Sequence, residues 1–201
     1  ALERARQSRL ETLNNSLSAE CSDDCEGQWL KMPKEVLRHN EVSESEFAQA
    51  LQTLLVKGSG KYRNIMILGA AKCSCFTNLA TTSFAWVGAQ ESEVIFLNDF
   101  RWSPQIIPWH DLLLLLQGQI VHLPAPKSHF SNDIVFESDT PIFCTSKDEI
   151  TLVRGGVLDQ RETEMMRVRW KIFNLHYQIP SAEQKSVAAC PRCFAEFILR
   201  K

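Results

Sequence analysis

Two groups of residues in this chain have the types and spacing that chemistry requires. The first is a set of cysteines: Cys21 and Cys25 form a C-x3-C pair near one end, Cys190 and Cys193 a C-x2-C pair near the other. Short-spaced thiols are how a protein presents sulfur to a tetrahedral ion, so the two pairs form one four-cysteine zinc site if the fold brings the ends together. If it does not, they are free thiols, with Cys190 in an exposed tail. The second group follows the apolar run Asn64-Ile65-Met66-Ile67-Leu68-Gly69. A phosphate-binding loop needs a strand, then G-x-x-x-x-G-K-[ST], then a helix, because backbone N–H groups cradle the phosphates, the lysine neutralises them and the hydroxyl holds magnesium. Gly69 stands at the first glycine. Ser74 then falls at the second glycine, Cys75 at the lysine and Phe76 at the hydroxyl, so all three chemical groups are missing. Lys72 lies in the loop, three positions early for the lysine. Gly69, Lys72, Ser74 and Cys75 are the candidate ATP contacts of a damaged loop. The helix after Phe76 is cut to two turns at most by the next apolar run.

A third feature follows in the chain. The run Val94-Ile95-Phe96-Leu97 ends in Asn98-Asp99. A carboxylate at such a strand end directs magnesium and water in ATPases of the phosphate-loop class, and it is equally a residue that caps a turn.

The elements that must carry these residues read as mixed α and β. Residues 1–20 are polar with leucines at helical spacing, a frayed or partner-seeking helix. Residues 28–57 hold two amphipathic patterns, the second opened by Ser43 with Glu46 three residues on and closed by Gly58-Ser59-Gly60-Lys61. Short continuous apolar runs at residues 64–69, 84–87, 94–97 and 141–144 look like buried parallel strands. Residues 120–123 and 134–136 flank a Pro-Ala-Pro-Lys turn and read as a hairpin. The run Asp111-Leu112-Leu113-Leu114-Leu115-Leu116 is a buried helix, far too short to span a bilayer. Residues 157–169 look helical, and 170–177 read as a last strand. Helices mixed with buried strands predict an α/β sheet covered on both faces.

Composition bounds the class. A 44% hydrophobic content and a formal net charge of −2 describe an ordinary globular chain without a strong nucleic-acid or membrane bias. Seven cysteines, an odd number, with no signal-peptide pattern, lead us to expect a nuclear or cytoplasmic setting rather than secretion. Cys73, Cys75 and Cys144 read as small core residues, and the five scattered histidines form no catalytic set.

The order of parts carries a family resemblance. Gly118-Gln119-Ile120-Val121 through Lys127, followed by Thr140-Pro141-Ile142-Phe143-Cys144-Thr145-Ser146, resembles the later motifs of superfamily 3 helicases, and among them parvovirus non-structural (Rep-type) replication proteins and related mobile-element proteins. The resemblance spans roughly residues 47 to 175. It implies an AAA-type P-loop NTPase-like parallel sheet covered by helices, with a small N-terminal helical part. On this division residues 1–27 are a polar helix with the first cysteine pair, 28–60 a helical subdomain, 61–180 the helicase-like domain, and 181–201 a tail with the second pair. It also implies a ring-forming homo-oligomer that hydrolyses ATP with magnesium and pulls single-stranded DNA through its centre. Lys127 matches the hairpin lysine that grips the strand, with His129 and Phe130 beside it, a basic residue next to rings being a way to hold backbone and base together. Lys147 stands where the family has an asparagine that senses the γ-phosphate. The segment Met165-Met166-Arg167-Val168-Arg169-Trp170 resembles the one that bears the arginine finger, which implies that role for Arg169 or, after it, Arg167. With Asp99, these are the catalytic candidates. The broken loop leads us to expect that hydrolysis is absent or very weak. The competing expectations are a non-enzymatic interaction module stapled by zinc and a non-functional relic of a replication gene.

Overall fold

The computed structural model describes residues 2–69, 86–124, 134–183 and 188–199. Its centre is a four-stranded parallel sheet formed by β1 (Asn64–Gly69), β2 (Ile95–Leu97), β5 (Ile142–Ser146) and β8 (Trp170–Leu175), in the order β2-β5-β1-β8. Register is fixed by pairs such as Ile65 with Phe143 and Met66 with Ile172. Side chains alternate strictly across it. Ile65, Phe143 and Phe173 face one core; Met66, Leu68, Ile142 and Cys144 face the other. The two central strands β1 and β5 read as apolar runs because both their faces are covered, whereas edge strand β2 leaves Phe96 exposed and edge strand β8 carries Lys171 and Asn174.

The first face is covered by helices from the two ends of the chain. These are α1 (Leu2–Ser18), α3 (Glu44–Lys57) and α6 (Pro191–Leu199), which bring Leu13, Leu51, Leu54, Ala195 and Ile198 onto Ile65 and Phe173. α2 (Gln28–His39) lies beside α3 and α6. α3 starts where Ser43 accepts a hydrogen bond from the Glu46 N–H at 3.3 Å and stops at Gly58, whose φ of 72° an L-residue rarely takes. The second face is covered by α4 (Trp109–Leu115) and by the antiparallel hairpin β3 (Val121–Leu123) and β4 (Ile134–Phe136). A small hairpin, β6 (Val153–Arg154) with β7 (Val157–Leu158), precedes α5 (Gln160–Arg167), which Asp159 caps. No helix among the described residues is long and apolar enough to cross a membrane.

The chain is α/β with a parallel sheet flanked by helices, as its apolar runs predict. Four readings change. Residues 157 and 158, read as the start of a helix, form strand β7, and α5 begins only at Gln160. Trp86 and Val87, read as part of a strand, lie in a turn that Gly88 completes at φ 84°. Trp86 serves the core instead, its indole N–H donating to the Ile106 carbonyl at 2.9 Å; residues 84 and 85 lie outside the described residues. The last segment is not a loose tail, because α6 buries Ala195 and Ile198. The N-terminal helix finds its partners within the chain, burying Leu13 and Arg9.

Candidate metal centre and carboxyl edge of the sheet

The fold brings the four paired cysteines together. Cys21 and Cys25 sit in the turn between α1 and α2, while Cys190 immediately precedes Pro191, the first residue of α6, and Cys193 lies in its first turn. Their sulfurs all lie within 4.8 Å of one another. Cys21 Sγ is 3.4 Å from Cys190 Sγ and 3.6 Å from Cys193 Sγ, and Cys25 Sγ is 3.7 Å from Cys193 Sγ. Four thiolates held at 2.3 Å from a tetrahedral zinc stand about 3.8 Å apart, so the spacing suits a single ion. It is far too long for a disulfide. An iron–sulfur cluster, which interposes several atoms between its ligands, needs its cysteines further apart.

Local structure explains why the sulfurs converge. The chain doubles back through Asp24, Glu26 and Gly27, all at positive φ, with the Cys25 N–H on the Ser22 carbonyl at 3.0 Å. On the other side Pro191 opens α6, where its missing N–H costs nothing and the helix dipole favours a thiolate. Burial pushes the Cys190 thiol up, but the N–H groups of Cys193 and Ser22 and the Cys21 thiol point at its sulfur and hold it down at about 5. Burial, reinforced by its cysteine neighbours, raises the Cys193 thiol. The site is closed by Trp29 and Leu30, with Trp29 edge-on to Phe194 at 6.3 Å. Four sulfurs, three buried and one half-buried, fill every position of a tetrahedral ion, the pattern of a structural rather than a catalytic ligand set.

The second candidate region is the carboxyl edge of the sheet. Because the strands are parallel, Gly69, Asn98-Asp99 and Ser146-Lys147 all leave at this edge. The order β2-β5-β1-β8 sets β1 and β5 side by side, with Leu68 opposite Ser146, so Gly69 and Lys147 leave the sheet as neighbours. Thr145 organises the edge. Its hydroxyl donates to Asn98 Oδ1 at 2.7 Å and accepts from the Asp99 N–H at 2.9 Å, and the Phe100 N–H donates to its carbonyl at 2.9 Å. Asp99 is half-buried at φ 50°, a conformation aspartate tolerates better than most residues. Lys147 is exposed. Gly69 has a reason to be glycine that owes nothing to phosphate: a Cβ there would stand 2.0 Å from the Leu175 carbonyl oxygen of β8.

Other candidates separate. Arg169 is 4% exposed, its Nε donating to the Leu113 carbonyl at 3.0 Å and its Nη1 to the Met165 carbonyl. Burial pushes its guanidinium below the ordinary value, opposed by Glu162. It joins α4 to the end of α5. Sequence reasoning missed this role because a charge at a helix end reads as surface. Arg167 is exposed, its Nε 3.5 Å from Glu149 Oε2. Lys72, Ser74 and Cys75, and likewise Lys127, His129 and Phe130, lie outside the described residues. Comparison with protein-family models and with curated proteins finds no match to this chain.

Proposed function

We propose that this chain is a non-hydrolysing derivative of a superfamily 3, Rep-like helicase domain, an AAA-type fold stapled by zinc that keeps contact with single-stranded DNA. The observation that carries the reading is the convergence of Gly69, Asn98-Asp99 and Thr145-Ser146-Lys147 on one carboxyl edge, the side on which open parallel α/β sheets take their ligands. Those are the segments in which the resemblance puts the nucleotide machinery. Hydrolysis is lost because Ser74, Cys75 and Phe76 supply neither the lysine charge nor the magnesium hydroxyl, and a phosphate contact of that kind is commonly worth orders of magnitude in rate. If the chain assembles as its resemblance implies, Arg167 suits the arginine that reaches a neighbour; Arg169, engaged internally, does not.

Zinc would be held by Cys21, Cys25, Cys190 and Cys193, and its chemistry there is structural: it neutralises thiolates and joins the chain ends. The DNA part of the reading is tested by titrating a labelled single strand at several salt concentrations. Wild-type binding should weaken as salt rises. Lys127→Ala should lower the affinity and flatten the log–log salt slope by about 0.7, the share of one phosphate contact. An unchanged slope would remove Lys127 from the account.

The cysteine centre taken alone favours a second reading, an interaction module with no nucleic-acid contact. Stoichiometric zinc with no measurable affinity for single strands would select it.

A further inference from the structure

We infer that metal occupancy of the four-cysteine centre decides whether α1 stays docked on α3 and α6. The inference rests on the zinc reading above and extends it from stability to a movable part. α1 is attached along its length, to Asp139 and Leu55 through arginines, to the α3/α6 layer through Leu13 and Leu17, and to the cysteine centre at its end. Toward its start, Arg6 Nε and Nη2 reach Asp139 Oδ2 at 2.9 and 2.5 Å, and Arg9 Nε donates to the Leu55 carbonyl at 2.7 Å. At its other end Ser18 lies three residues before Cys21. Among its described side chains only Leu13 and Arg9 are fully buried, with Leu17 packed beside them.

That interface has a cost as well as a gain. Arg9 Nη2 and Asp139 Oδ1 are buried without a hydrogen-bond partner, and an unpaired buried polar atom forfeits its hydration. A mostly polar helix of this length is marginal by itself, so it persists only while these contacts and the tether hold it. Once Cys21 and Cys25 share an ion with Cys190 and Cys193, the end of α1 cannot leave α6. Without the ion, α1 is free to lift and uncover the apolar sides of α3 and α6, where Leu51, Leu55 and Ile198 lie.

Arg9 reports the state. It is 5% exposed when α1 is docked, so trypsin cleaves after it only when α1 has lifted. Zinc-loaded protein and protein stripped by a chelator under reducing conditions are digested briefly, and the released N-terminal peptides are weighed by mass spectrometry. Stripping should speed cleavage after Arg9 by about tenfold or more, reversed by added zinc, while the stripped protein still melts cooperatively. An unchanged Arg9 rate in protein shown to have lost its zinc overturns the latch and leaves the metal site standing. Loss of the cooperative melt overturns it too, since the ion would then hold the whole fold. Failure to bind stoichiometric zinc defeats the metal reading itself, and the latch with it. Arg6→Ala guards against a different explanation: zinc-loaded Arg6→Ala should keep Arg9 protected, and fast cleavage there would make the ion pair with Asp139 the latch instead.

Discussion

Removing zinc is expected to cost this protein about 4 kcal/mol of stability relative to a solution holding free zinc a thousandfold above its dissociation constant. For a chain of this size that is a fall in melting temperature of about 10 °C. Four thiols held within 4.8 Å, three of them buried, are arranged for an ion rather than for one another. The unfolded chain separates the two pairs by more than 160 residues, so the intact ligand set exists only in the folded state. Binding free energy therefore becomes folding free energy, less whatever each short pair retains when unfolded. Cys193→Ser should reproduce most of the loss and should no longer respond to added zinc. Calorimetric melts of both proteins, with and without chelator, check this. A Cys193→Ser protein that melts with the zinc-loaded wild type would show that the cysteines do not act together.

Gly69→Ala is expected to destabilise the fold by about 2 kcal/mol, the usual scale of forced overpacking. The backbone at Gly69 is not in the left-handed region, so conformational strain is not the cause; space is. The new methyl would sit 2.0 Å from a main-chain oxygen of β8, and a strand held by six paired residues cannot yield as a flexible side chain would. Denaturant unfolding measures the effect. This result separates two reasons for the same glycine. If stability is unchanged while nucleotide affinity falls, Gly69 serves a phosphate. If stability falls, its packing role against Leu175 is sufficient.

The sheet was readable because strands covered on both faces are apolar at every position, as in Ile65 to Leu68 and Ile142 to Cys144. α3 was readable from the Ser43 and Glu46 cap, and the β3–β4 hairpin from two apolar runs around a proline turn. What escaped depends on contacts between distant residues. Trp86 extends an apolar run in sequence, yet the turn at Gly88 and the Ile106 carbonyl decide its place. The short segment Pro191–Leu199 carries too few turns to declare a helix, and its apolar side acquires meaning only against α1 and α3. Arg9 and Arg169 are charged residues buried by carbonyls of Leu55 and of Leu113 and Met165, partners that no local pattern announces. The cysteine spacing raised the metal question, but only the packing of α6 beside α1 answered whether the two pairs meet.

Magnesium-dependent ATP turnover by the purified, zinc-loaded chain decides the proposal that the carboxyl edge is a nucleotide site that has lost its reaction. No turnover above a magnesium-free control is expected, because Cys75 and Phe76 occupy the positions of the lysine and the magnesium hydroxyl. Magnesium-dependent turnover that disappears in Asp99→Ala would contradict it, and would mean that the altered loop still holds and cleaves ATP.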